Sequence, residues 1–164
     1  MILVGIGGNL ASPRGGSPHD TLSAALLALE EEPIRILARS GWYRTEPVPP
    51  SDQPWFMNAV LSLVTELAAD DLLAVLQGIE TRFGRVRGKR DAARVLDLDI
   101  LDYRGEVRNS PPLILPHPRL HQRRFTLAPM VEIAPDWRHP ILSLTAAQLL
   151  ARLPAGQEVE RLVD

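Results

Sequence analysis

The sequence predicts an α+β protein built on a mostly antiparallel sheet that is flanked by helices. Segments with alternating apolar residues indicate strands, and segments with apolar residues three and four apart indicate helices. These segments do not follow the regular strand-helix alternation of a parallel, doubly wound sheet. The chain has 164 residues, of which 45% are hydrophobic, and this suits one domain with a buried core. We therefore expect a single domain over residues 1–164.

The first half of the chain contains three predicted strands and one helix. Residues 1–8 form a short apolar run that ends in glycines, which predicts a buried strand. Ser17 and Asp20 have the spacing of a capping box with a proline between them, so a helix is expected to begin there and to end before residue 33. Residues 34–43 and 56–67 alternate with period two and predict two further strands.

The second half of the chain predicts more helix than strand. Helices are predicted over residues 72–83, near residues 129–133 and after residue 145. The last of these begins with Thr145 and Gln148, which repeat the capping-box spacing. Residues 95–103 predict another long strand, and a short strand is expected around Val107.

The composition excludes several classes of protein. The chain has no cysteine, which excludes disulfides, thiolate metal sites and cysteine nucleophiles. No apolar run approaches the roughly 18 to 20 residues that span a bilayer, and no basic leader precedes the opening strand, so we expect a cytoplasmic protein without membrane contact. A net charge of -2 and an aromatic content of 5% argue against a nucleic-acid partner.

Two aspartates in the strand predicted over residues 95–103 are candidate metal ligands. Asp97 and Asp99 point to the same face because successive side chains of a strand alternate. Two carboxylates about 7 Å apart repel each other, which favours a cation between them. Magnesium suits this pair because it is usually held by one or two carboxylates and by substrate phosphates. The alternative is an ordinary amphipathic strand that exposes its acids to water.

A basic segment directly precedes these aspartates. Six of the chain's 18 lysines and arginines lie within residues 82–94. Guanidinium groups bind phosphates bidentately, so the segment and the aspartates together suggest a site for a metal-bound polyphosphate. A solvated loop with cations at a helix end is the plain alternative. A nucleic-acid patch is a further one, which the overall charge weakens.

The chain's 15 prolines include two clusters, within residues 47–54 and 111–118. The first lies in a loop of about twelve residues, and loops of this length in small domains are more often functional than accidental. The second cluster surrounds His117, whose restricted backbone suits a fixed donor to a phosphate oxygen. The competing interpretation is a histidine with a structural role.

Three residues are candidates for binding a heterocycle. Asn58 begins a predicted strand, and its amide offers both a donor and an acceptor to the edge of a ring. Phe56 and Phe125 offer aromatic faces for stacking. By default such phenylalanines are plain core residues.

Seven motifs in order along the chain resemble a known family. They are G-I-G-G-N-L, S-G-W-Y-R-T-E-P, D-Q-P-W-F-M-N-A-V, I-E-x-x-x-G-R-V-R, R-V-L-D-L-D-I, L-P-H-P-R-L and R-x-F-T-L-A-P-M-V-E-I-A-P. Together they resemble the 6-hydroxymethyl-7,8-dihydropterin pyrophosphokinases of folate biosynthesis, from residue 7 to about residue 135. The resemblance implies a ferredoxin-like fold in three α-β-α layers. It also implies transfer of a pyrophosphoryl group from ATP to the hydroxymethyl oxygen of the pterin, which releases AMP.

The resemblance also assigns roles to individual residues. Asp97 and Asp99 would bind two magnesium ions, and Arg85 and Arg94 would clamp the transferring phosphates as catalytic groups. The remaining ATP-binding residues would be Glu80, His117 and Arg123. The pterin pocket would consist of Thr45, Glu46, Val48, Phe56, Asn58 and Phe125. The partners would be small-molecule substrates only, and we expect a monomer, with a dimer as the alternative.

The chain departs from the family pattern at three places. Residues 90–95 lack the tryptophan, glycine and proline that are common before the aspartates, Gly8 replaces a common serine, and Phe56 replaces a common tyrosine. No side chain stands out as a general base. Two other functions are compatible with the motifs: a non-catalytic sensor of nucleotides or pterins, and a magnesium-dependent nuclease that uses the two aspartates and the arginines.

Overall fold

The computed structural model describes residues 1–12, 16–85 and 93–163. Within this part of the chain, six strands form one sheet. They are β1 (Ile2–Gly8), β2 (Ile34–Arg39), β3 (Tyr43–Thr45), β4 (Phe56–Thr65), β5 (Asp97–Tyr103) and β6 (Val159–Arg161). Four α-helices accompany them, namely α1 (Pro18–Glu30), α2 (Ala69–Arg82), α3 (Arg124–Ile133) and α4 (Ala146–Ala151), with a 3-10 turn at Leu120–Gln122.

Every strand pair in the sheet is antiparallel, which confirms the predicted fold class. The strand order is β5-β1-β4-β3-β6, and β2 lies beside β3 along the same edge of β4. The ten residues of β4 make this possible, because β3 pairs with its first three residues and β2 with its last five. The sheet therefore places β1 between β4 and β5.

The alternation of β1 divides the core into two layers. Ile2, Val4 and Ile6 pack on one face with side chains of α1 and α2. Leu3 points to the opposite face and packs with side chains of α3 and α4. The sheet is thus covered by helices on both faces, and the three-layer arrangement expected above is confirmed. No helix in the described ranges is both long enough and apolar enough to cross a bilayer.

Both predicted capping boxes are present. In α1, Asp20 N donates to Ser17 Oγ and the Asp20 carboxylate accepts from Ser17 N. In α4, the Gln148 side chain and the Thr145 hydroxyl form the same reciprocal pair. Each box provides partners for amide groups that the helix itself leaves unbonded.

Two predicted strands differ from the structure. The strand predicted over residues 34–43 ends at Arg39 as β2, and a separate strand β3 begins at Tyr43. Between them the Ser40 hydroxyl accepts from Val60 N at 3.0 Å and donates to Gly41 O at 2.8 Å, where the ladder is interrupted. The short strand expected around Val107 is absent from the described residues, and only an isolated bridge joins Arg108 to Leu115 there. Whether a segment forms a strand depends here on pairing with distant residues, and a period of two in the sequence does not show where such pairing occurs.

The remaining differences are two element boundaries and one strand that was not predicted. Strand β5 begins at Asp97 instead of residue 95. Helix α3 begins at Arg124, earlier than the predicted start near residue 129, and keeps Pro129 in its interior. The short strand β6 was not predicted. It pairs with β3, and Arg161 reinforces it by donating to the Glu132 carboxylate at 2.9 Å.

Candidate active site

A cavity of about 260 Å³ lies on the face of the sheet that α3 covers, above the amino-terminal halves of β4 and β5 and the carboxyl-terminal half of β1. Its floor has Asn58 on β4 and Asp97 and Asp99 on β5, with Gly5 and Gly7 of β1 between them. Because Gly5 and Gly7 have no side chains, β1 places no side chain between the amide of Asn58 and the two carboxylates, and the amide itself lies over Gly7. The cavity therefore has two chemically different ends on one rigid sheet.

Most of the site residues predicted from the sequence line this single cavity. They are Thr45, Glu46, Val48, Phe56, Asn58, Arg94, Asp97, Asp99, His117, Arg123 and Phe125. Arg85 and Glu80 are absent from the lining, although Arg85 contacts Asp97 directly. Sequence reasoning missed Gly5, Gly7, Gln53, Leu101 and Arg119, which also line the cavity. The central residues 86–92 of the basic segment, and with them most of the changed loop, lie outside the described residues.

Two arginines converge on one carboxylate at the acidic end. Asp97 Oδ1 accepts from Arg85 Nη1 at 2.9 Å and from Arg94 Nη1 at 3.1 Å. Each of these three side chains is about a quarter exposed, so none of the charges is fully solvated, and Asp97 and Arg94 line the cavity. The arrangement places two guanidinium groups where the oxygens of a phosphate chain beside Asp97 would meet them.

Glu80 lies behind this cluster and is buried, with 4% of its surface exposed. Its carboxylate accepts from the Arg85 guanidinium and from Leu98 N on β5. Burial raises the pKa of Glu80 above its ordinary range, and the hydrogen bond from Leu98 N and the charge of Arg85 partly oppose this shift. Glu80 therefore holds Arg85 from the helix side, and it does not reach the cavity.

Asp99 and Asp97 form a repelling pair, as their spacing predicts. Burial raises the pKa of Asp99 above its ordinary range, and the charge of Asp97 raises it further. A nearby cation relieves both effects. The described residues contain no group of three or more histidine, aspartate or glutamate side chains placed to hold a metal. The chemistry of the two carboxylates that line the cavity fits an ion such as Mg²⁺, which is commonly held by one or two carboxylates and takes its remaining ligands from water and substrate phosphates.

His117 is fixed as a neutral hydrogen-bond donor at the same end. Its Nδ1 accepts from Arg119 N at 3.1 Å, which leaves the ring proton on Nε2, 4.0 Å from Asp99 Oδ2. Burial lowers the pKa of His117 to about 4, and the charge of Arg123 lowers it further. The main chain is held as well, since His117 N donates to Leu101 O at 2.9 Å. The proline-restricted histidine therefore presents an N–H group to the cavity.

The opposite end of the cavity is suited to a flat heterocycle. Asn58 Nδ2 donates to the buried Thr45 hydroxyl at 2.7 Å, which orients the amide toward the cavity. Phe56 and Phe125 line the same space, and the Arg123 guanidinium lies 5.3 Å from the centre of the Phe125 ring. The site thus combines an oriented amide with aromatic faces, a combination suited to the edge and the faces of a ring.

Glu46 has a structural contact in addition to its place in the lining. Its Oε1 accepts from Glu158 N at 2.8 Å, and Glu46 N donates to Glu158 O at 3.3 Å. These contacts tie the loop after β3 to the segment that leads into β6. The carboxylate of Glu46 is thus engaged with the main chain of a distant segment, a contact that its motif did not indicate.

Comparison with known proteins identifies the family of the chain. Residues 3–135 match the family model described as 7,8-dihydro-6-hydroxymethylpterin-pyrophosphokinase. A 2-amino-4-hydroxy-6-hydroxymethyldihydropteridine pyrophosphokinase from Methylorubrum extorquens is 41% identical over 94% of this chain and 95% of its own length. A protein of the same name from Pseudomonas aeruginosa is 44% identical over 85% of this chain and 83% of its own length.

Solved structures support the fold. An HPPK-DHPS crystal structure with bound substrates matches 92% of this chain with a TM-score of 0.65 and 13% identity. The HPPK-DHPS of Plasmodium falciparum matches the same share with a TM-score of 0.68 and 13% identity. This chain covers 42% and 44% of those two longer chains. By the family model and by its identity to full-length relatives, the chain belongs to the 7,8-dihydro-6-hydroxymethylpterin-pyrophosphokinase family.

Proposed function

We propose that the protein transfers the β,γ-pyrophosphoryl group of ATP to the hydroxymethyl oxygen of 6-hydroxymethyl-7,8-dihydropterin, in line with the pyrophosphokinase names of its relatives. The pterin oxygen forms a bond to the β-phosphorus of ATP. The bond between that phosphorus and the oxygen that bridges it to the α-phosphorus breaks, and AMP leaves. One observation carries the proposal: a single cavity has an amide and two phenylalanines at one end and carboxylates with arginines at the other. This arrangement matches a ring substrate beside a polyphosphate.

Asp97 and Asp99 would hold two Mg²⁺ ions together with the ATP phosphates. When bound, such ions neutralise phosphate charge and hold the phosphate oxygens in place. The supporting observation is the pair of carboxylates on one face of β5, with the raised pKa of Asp99. Two protein carboxylates leave most coordination positions to phosphate and water, as magnesium sites in phosphoryl-transfer enzymes do.

The arginines and His117 would position the phosphates. Arg94 and Arg85 would supply fixed positive charge where negative charge accumulates in the transition state. Such electrostatic stabilisation is the main source of the rate enhancement in phosphoryl transfer. Glu80 would hold Arg85 from behind. Neutral His117 would donate its Nε2 proton to a phosphate oxygen, and Arg123 would add a further positive charge.

The proton of the attacking hydroxyl would leave to water. His117 is unsuited as a base because Nδ1 already accepts from Arg119 N and Nε2 carries the proton. The carboxylates of Asp97 and Asp99 are assigned to metal ions. This assignment leaves positioning and electrostatics as the contribution of the protein, which suffices for phosphoryl transfer.

The pterin would bind at the amide end. Asn58 would pair with the ring edge, Phe56 and Phe125 would stack on its faces, and Thr45, Glu46 and Val48 would complete the pocket. The hydrogen bond from Asn58 Nδ2 to Thr45 supports this, because it fixes which amide atoms face the cavity.

We also propose a single-domain, monomeric, cytoplasmic enzyme without a nucleic-acid partner. One sheet takes strands from both ends of the described chain, which supports one domain. ATP as co-substrate fits a cytoplasmic location.

The proposal is tested by incubating the protein with ATP, Mg²⁺ and the dihydropterin and separating the nucleotides. We expect AMP and pterin diphosphate in equal amounts, and no AMP when the pterin is left out. Binding of both substrates without AMP would indicate a non-catalytic relative. Cleavage of added polynucleotides with steep salt dependence would instead indicate a nuclease.

Gly7 should be required for pterin binding because it leaves room for Asn58. A Cβ atom on Gly7 would lie 2.2 Å from Asn58 Oδ1, so Gly7→Ala must displace the amide. We expect KM for the pterin to rise by about tenfold or more, since a misplacement of about 1 Å can cost about 100-fold. Gly78→Ala, at an exposed glycine of α2, is the control, because a Cβ atom there would meet nothing within 4 Å. Equal effects of the two substitutions would contradict this role.

A further inference from the structure

Asn9 follows directly after β1 and is buried, with 3% of its surface exposed. It belongs to the motif G-I-G-G-N-L, yet it does not line the cavity and has no role in the function proposed above. Its neighbour Gly8 lies against another segment, because a Cβ atom there would be 2.3 Å from Val95 O. The end of β1 therefore packs closely on the main chain that leads into β5.

The Asn9 side chain joins the two ends of the cavity. Toward the heterocycle end, its Nδ2 donates to Pro54 O and to Gln53 Oε1, both at 2.9 Å. Toward the phosphate end, its Oδ1 accepts from Arg94 N at 2.8 Å. One short amide thus bonds to segments that lie about 40 residues apart in the sequence.

The main chain around Asn9 adds two hydrogen bonds to Arg94. Asn9 N and Leu10 N both donate to Arg94 O, at 2.9 Å and 3.1 Å. Both peptide groups of Arg94 are thus held, while its guanidinium reaches Asp97. The position of the Arg94 side chain is therefore set by a residue outside the cavity.

We propose that Asn9 is a positioning residue that sets the distance between the Arg94 guanidinium and the loop of Gln53 and Pro54, which joins β3 to β4. The proposal rests on the function proposed above and deepens it. Only an amide of this length offers two donors to Pro54 and Gln53 together with an acceptor for Arg94 N. An aspartate keeps the acceptor and loses the donors, and an alanine loses both.

Two substitutions separate the contacts of Asn9 with Pro54 and Gln53 from its contact with Arg94 N. Asn9→Asp removes the hydrogen bonds to Pro54 and Gln53, so KM for the pterin should rise by about tenfold or more. The decrease in kcat should be much smaller than this increase in KM. Asn9→Ala also releases Arg94 N, so kcat should fall by about 100-fold in addition. Asn109 is an exposed asparagine, and Asn109→Asp and Asn109→Ala serve as matched controls that should change neither constant.

Hydrogen exchange of the Arg94 amide tests the contact without any turnover. We expect faster exchange in Asn9→Ala and near-normal exchange in Asn9→Asp, with both variants folded as judged by their thermal midpoints. This readout applies even if no AMP is formed, so it separates failure of this inference from failure of the proposed function. An unchanged exchange rate of the Arg94 amide in Asn9→Ala would overturn the inference. So would the same change in kcat and the same change in KM in both variants.

Discussion

Replacing Asp97 by alanine should reduce AMP formation at saturating ATP and Mg²⁺ by about a thousandfold or more. The substitution removes one of two proposed metal ligands and also the carboxylate that Arg85 and Arg94 share. The fold should survive, because Asp97 is about a quarter exposed and partly exposed ion pairs contribute about 0 to 1 kcal/mol each. Steady-state assays over a range of Mg²⁺ concentrations and a urea denaturation curve measure the two effects.

Asp97→Asn distinguishes the charge from the shape of this side chain. It keeps the size of the side chain and one acceptor oxygen, so a loss close to that of alanine would show that the negative charge is required. Asp71→Ala, at an exposed acid on α2, is the matched control and should leave turnover unchanged. Magnesium-dependent turnover near the normal rate in Asp97→Ala would refute the metal assignment.

Replacing Arg94 by alanine should lower kcat by about 100- to 1,000-fold, the range that removal of one preorganised donor in an active site produces. The expected effect is confined to the guanidinium, because Asn9 and Leu10 bond only to the main chain of Arg94 and those bonds remain. Arg94→Lys should recover only part of the activity, since an ammonium group lacks the planar, bidentate fork of arginine.

Single-turnover assays and binding of an unreactive ATP analogue separate these effects on Arg94. We expect a large loss in the chemical step and a much smaller loss in affinity for the analogue. Arg35→Ala, at an exposed arginine on β2, is the matched control. A variant that binds ATP more weakly but reacts at the normal rate would show that Arg94 serves ground-state binding alone.

Local patterns predicted most of the fold because their causes are local. The box of Ser17 and Asp20 begins α1, and the period of two in residues 56–67 corresponds to β4. The break at Ser40 and the strand β6 were missed because both depend on distant partners. Ser40 bonds to Val60 N, and β6 pairs with β3 more than a hundred residues earlier in the chain.

The candidate site was predicted to a similar extent. The alternation of β5 correctly placed Asp97 and Asp99 on one face, and the motifs supplied the side chains of both ends of the cavity. Glu80 is buried, bonds to Arg85 and Leu98 N and does not line the cavity, and its ATP-binding role stays a prediction. No pattern indicated this, because hydrogen-bond partners from another element leave no periodic signal.

The sequence by itself determined which chemical groups are available: two carboxylates on one strand face, several arginines, a histidine between prolines, and an amide with two phenylalanines. Only the tertiary structure decided how far apart these groups lie and what holds them. Gly7 in the middle strand makes space for Asn58, and Asn9 bonds to both Pro54 and Arg94. Such contacts depend on the register of β1 with β4 and β5, and register is a property of the assembled sheet.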